Sequence, residues 1–112
     1  MMKCKEIIEI LNRLAPQEYA CSWDNPGLIV GREDREIRKI MVALDTTKKA
    51  IDHAIEERAD LIVTHHPMIF SSLKKVNDQN FTGDKILTLA EHKIATFAMH
   101  TNYDIAGGMA EI

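Results

Sequence analysis

The 112-residue chain holds only two cysteines, Cys4 and Cys21, and neither belongs to a CxxC pair. That scarcity argues against a disulfide framework or a thiolate zinc site and leaves free, reduced thiols as the expectation. No apolar run approaches the roughly 18 residues needed to span a bilayer. Lys5, Glu6 and Glu9 interrupt the segment where a secretory leader would have to be apolar. The expected setting is the cytoplasm, with no membrane partner. Positive charge is also in short supply, with 14 Lys and Arg against 17 Asp and Glu and a net charge of -3. The basic residues are scattered, so no stripe offers phosphate neutralisation and nucleic acid is not an expected partner. No low-complexity tract or linker divides the chain. At 46% hydrophobic and 28% charged, residues 1–112 fit one globular domain.

What is present is alternation. Ile7, Ile10, Leu11 and Leu14 recur at helical spacing and Pro16 closes that segment, which predicts an amphipathic first helix. In "SWDNPGLIVGRED" the Asn25-Pro26-Gly27 turn and Gly31 bracket a short strand over Leu28 to Val30, expected as a small edge element. "KIMVAL" (39–44) then reads as a buried strand. "TTKKAIDHAIEERA" reads as a helix with Ala50, Ile51, Ala54 and Ile55 inward, and "DLIVT" as a second strand. Beyond the irregular "SSLKKVNDQN", the segment "DKILTLAEH" reads as a helix and "KIATFAM" (93–99) as a third strand. Apolar strands separated by helices predict an α/β fold with a mainly parallel sheet and helical crossovers.

Each main strand ends on polar residues: Asp45 after "MVAL", His65 and His66 after "LIVT", His100 after "TFAM", with Asp104 close behind in "HTNYD". Open parallel sheets bind ligands beyond the carboxyl ends of their strands, where loops converge on a rigid frame. Imidazole and carboxylate together suit divalent zinc, iron, manganese or nickel, and the lack of thiolate argues against a cluster. Adjacent histidines inside a regular strand would point to opposite faces. Pro67 favours an extended His66 and removes an amide donor, so the chain leaves the sheet there. Both rings can then fan over one crevice, each serving one ion of a pair, with Asp104 completing the set.

Plainer roles compete for each residue. A His-His pair taken alone is more often a surface accident or a hydrogen-bonded buried pair, and only its coincidence with His100 and Asp104 at one sheet edge favours a metal. His53 belongs to the solvated face of its helix, beside Lys49 and Glu56. His92 sits at a helix end, where a partly protonated imidazole meets the carbonyl dipoles. Asp45 is expected slightly sooner as an N-cap than as a ligand. Gly107 and Gly108 lack a phosphate-loop frame and read as a hinge.

"WDNPGLIVG" (23–31), "ALDTT" (43–47), "LIVTHHPMIF" (61–70) and "HTNYDIAGG" (100–108) resemble, in order and spacing, the amino-terminal part of the type 2 GTP cyclohydrolase I family, the Nif-three-like dinuclear-metal proteins. The resemblance implies an α/β fold with two divalent ions in a cleft, in a toroidal homohexamer. It implies His65 and His66 as ligands, one to each ion, Asp104 as the carboxylate ligand, and His100 as a nearby proton-handling, catalytic group. The implied activity opens the guanine ring of GTP with release of formate, which makes a nucleotide the expected substrate. A metal-binding regulatory or protein-interaction module without turnover is the alternative. The family's later HxxxE segment is missing from these residues, so the chain is expected to be an amino-terminal portion of a longer fold. Its site is expected to be incomplete, with at most one loosely held ion. Uncovered sheet edge and apolar helix surface are expected to drive self-association.

Overall fold

In the computed structural model, residues 2–14, 27–67, 69 and 73–99 are described. The elements run β1 (Met2–Lys3), α1 (Cys4–Leu14), β2 (Gly27–Val30), β3 (Glu36–Ile37), β4 (Ile40–Ala43), α2 (Lys48–Glu56), β5 (Leu61–Thr64), α3 (Phe81–Glu91) and β6 (Ala95–Ala98). Four strands form one sheet in the order β2-β6-β5-β4. β4 runs parallel to β5 and β5 parallel to β6, each pair joined through a helix, while β2 lies antiparallel against β6. The mainly parallel α/β architecture expected of the sequence is therefore the observed one. β1 and β3 make a separate two-stranded pair that the sequence pattern did not announce.

The pleat sends alternate side chains of the sheet into two cores. On one face Leu61, Ala95 and Phe97 pack with Cys4 and Ile7 of α1 and with Ile37. On the other, Ile62 packs with Ile51 and Ala54 of α2, Leu89 of α3 and Ile94. The first amides of α1 lack intrahelical acceptors. Those of Cys4 and Lys5 donate instead to the carbonyls of Arg35 and Glu33, at 2.7 and 2.8 Å, which ties the helix to the turn before β3. Gly31, at φ +132, marks the end of β2, and a Cβ there would lie 2.5 Å from the Ala95 Cβ. Only glycine meets both demands without strain.

Three expectations need correction. "KIMVAL" is not buried: β4 is the sheet's edge, and Ile40, Val42 and Leu44 are exposed because α1 covers the sheet only as far as β5. Helix α3 begins at Phe81, three residues ahead of the expected Asp84, because the Asn80 side chain accepts the Gly83 amide and caps it. Asp45 is not the cap of α2. Thr47 is, with its hydroxyl accepting the Ala50 amide at 3.0 Å.

Candidate metal site at the carboxyl ends of the strands

The parallel register sets Ala43, Thr64 and Ala98 abreast, so β4, β5 and β6 end in one row. Backbone bonds carry this order past the strands: the His66 amide donates to the Leu44 carbonyl at 3.1 Å, and the Met99 amide to the Thr64 carbonyl at 2.8 Å. The chain then turns. Thr64, a buried residue, donates its hydroxyl to the His66 carbonyl at 2.9 Å, and Pro67 is buried behind it. A two-residue hydroxyl bridge of this kind fixes the turn that carries both histidines.

The two imidazoles stay together rather than splitting to opposite faces. Their centroids are 4.8 Å apart with the planes at 67°, an edge-on contact. His65 lines a groove of about 530 Å³ shared with Val42, Leu44, Val63 and Leu14. His66 turns toward β4, where its Nδ1 lies 2.6 Å from Oδ1 of Asp45, and both side chains remain about half exposed. Thr46, between Asp45 and the Thr47 cap, is buried, and its hydroxyl has no hydrogen-bond partner among the described residues.

Of the candidates read from the sequence, the structure brings together His65, His66 and Asp45. His100 and Asp104 lie outside the described residues, as do Cys21, Gly107 and Gly108. Among the described residues no group of three or more His, Cys, Asp or Glu is placed to hold a metal ion. The donors present fit a borderline divalent ion as part of a site. Neutral imidazole is a common ligand, and a ring whose other nitrogen is held by a carboxylate is the usual form of a liganding histidine. The link from Asp45 to His66 is the feature that sequence reading missed, and its one signal was an aspartate two positions beyond a strand end.

The remaining candidates take the plain roles. His53 is exposed on α2. His92 follows α3 and donates from Nδ1 to the Thr88 carbonyl at 2.9 Å, satisfying one of the helix's terminal acceptors. At the far end of β4, Lys39 meets Glu57 at 2.9 Å. That hydrogen bond, the Lys39 charge and nearby His53 hold the Glu57 carboxyl below its ordinary range. Its exposed setting marks it as a surface pair. No helix among the described residues is long and apolar enough to cross a membrane.

The chain resembles known proteins in sequence and in fold. The chain is 40% identical over 104 residues to the GTP cyclohydrolase 1 type 2 homolog of Bacillus subtilis, covering 93% of this chain and 28% of that one. It is 42% identical over 104 residues to the GTP cyclohydrolase 1 type 2 of Helicobacter pylori, covering 93% and 42%. The chain thus spans less than half the length of these relatives. Among solved structures, the Staphylococcus aureus protein SA1388 superposes with a TM-score of 0.88 at 39% identity, covering 92% of this chain and 29% of that one. Reduced HcgD from Methanocaldococcus jannaschii gives 0.85 at 38%, covering 92% and 41%. The model of the Duf34/NIF3 (NGG1p interacting factor 3) family matches residues 2–112, and this chain belongs to that family.

Proposed function

We propose that the turn after β5 supplies the paired-imidazole part of a divalent-metal centre, in a protein that hydrolyses a nucleotide as its cyclohydrolase-named relatives are named for doing. The observation that carries this reading is the edge-on His65 and His66 pair, held at the carboxyl ends of a parallel sheet with one ring anchored by Asp45. His65 and His66 would hold the ions, with Asp104 as carboxylate ligand and His100 beside them as the catalytic, proton-handling group. A bound divalent ion would supply Lewis acidity, bringing a water's ionisation toward neutral pH and polarising a substrate oxygen. The chain's own part is to fix the ring directions through the Thr64 hydroxyl bridge and to keep an apolar wall beside His65. The proposed reaction is opening of the guanine ring of GTP with release of formate, and the proposed assembly is a homo-oligomer in the cytoplasm.

A second reading, a metal-binding or protein-interaction module without turnover, draws on the apolar face of β4 and on the family's description as an interacting factor. Metal content and formate release from GTP, measured on one preparation, separate the two. Metal together with formate release that disappears in His65→Ala supports the hydrolase. Metal without formate, with a fall in thermal midpoint on chelation, supports the module. Neither metal nor a chelator response removes both readings.

A further inference from the structure

We propose that Asp45 is a positioning residue, which holds His66 as the Nδ1-protonated tautomer so that Nε2 is the nitrogen presented to a divalent cation. This rests on the metal-site reading above and adds to it the residue that sets the ligand's direction. Three observations support it. The Asp45 carboxylate lies 2.6 Å from His66 Nδ1, and an ionised carboxylate can only accept, so the ring proton belongs on Nδ1. The lone pair of the neutral ring is then at Nε2.

The anchor is also built into the sheet rather than formed by chance on the surface. The His66 amide donates to the carbonyl of Leu44, the residue before Asp45, and the His66 carbonyl accepts from Thr64. The amide bond ties His66 to the segment that bears the carboxylate, and the Thr64 bond fixes the turn that carries the ring. Finally, the competing use of Asp45 is already filled. Thr47 caps α2, which leaves the Asp45 side chain to the imidazole. Carboxylate partners of this kind typically change metal affinity about 10- to 100-fold when removed.

The test uses the full chain in two measurements. Nitrogen-15 chemical shifts of the His66 ring in metal-free protein, at mildly alkaline pH, read the tautomer directly. Zinc titration by calorimetry reads the consequence. In the unaltered protein His66 is expected as the Nδ1-H form. Asp45→Ala is expected to release it to a tautomer mixture and to weaken zinc binding about 10- to 100-fold. Asp45→Glu is expected to restore part of both, which a merely structural role would not do. Finding the Nε2-H tautomer in the unaltered protein, or unchanged zinc affinity in Asp45→Ala, overturns the proposal. If zinc fails to bind the unaltered chain at all while the tautomer is as expected, the metal-site reading falls, and with it the claim that Asp45 tunes a ligand.

Discussion

Single side chains at two positions decide more than their size suggests. Gly31 combines a left-handed φ of +132 with a Cβ position 2.5 Å from Ala95, just past the end of β2 where it meets β6. Gly31→Ala is expected to lose about 1–3 kcal/mol from backbone strain and overpacking. Urea denaturation checks this, and an unchanged midpoint would show that β2 shifts freely. Cys4 is fully buried between α1 and the sheet. Burial, and secondarily the charge of Glu33, push its thiol above the ordinary value. The folded state therefore keeps the proton longer than the unfolded chain. Stability from this source is whole below the unfolded thiol's pKa and drains away as pH rises through the raised folded one. In a Cys21→Ser background, Cys4→Ala is expected to flatten the alkaline fall in thermal midpoint, and an equally steep fall would place its cause elsewhere.

The elements show how capping and register divide the work between neighbouring residues. Thr47→Ala removes the α2 cap and is expected to cost about 1 kcal/mol, recovered by Thr47→Asp. Asp45→Ala is expected to leave the capping contribution of α2 intact, and thermal denaturation of the pair distinguishes the two roles. The main helices and the strands β4, β5 and β6 were legible in the sequence because their apolar spacing matches the periods of helix and strand. β1 and β3 were not, since two-residue strands are too short to show a period. "KIMVAL" is apolar on both faces, and such a run reads the same in a central strand as in an edge strand covered on one side only. The histidine turn was legible from "HHP" because Pro67 ends the strand there. Its anchor was not, because Asp45 and His66 meet only through the β4–β5 register, 21 residues apart in the chain.

For the molecule as a whole, the unequal cover of the sheet is the dominant physical fact. Sheets with parallel strands are normally shielded on both faces. Here α2 and α3 shield one face, but α1 leaves Val42 79% exposed, with Ile40 at 46% and Leu44 at 56% beside it and Leu14 of α1 at 67%. β4 also offers its outer backbone edge to any strand that can reach it. A second copy of the chain would satisfy the edge and set apolar side chains beside Val42. Antiparallel pairing about Val42 would set Ile40 against the second copy's Leu44 and close as a two-fold dimer, with the same surface used on each side. Light scattering is expected to return a mass above that of one chain. Val42→Lys is expected to shift the population toward single chains with an unchanged far-ultraviolet circular dichroism spectrum, because a residue this exposed contributes little to the fold. A single-chain mass for the unaltered protein at high concentration would refute pairing through β4.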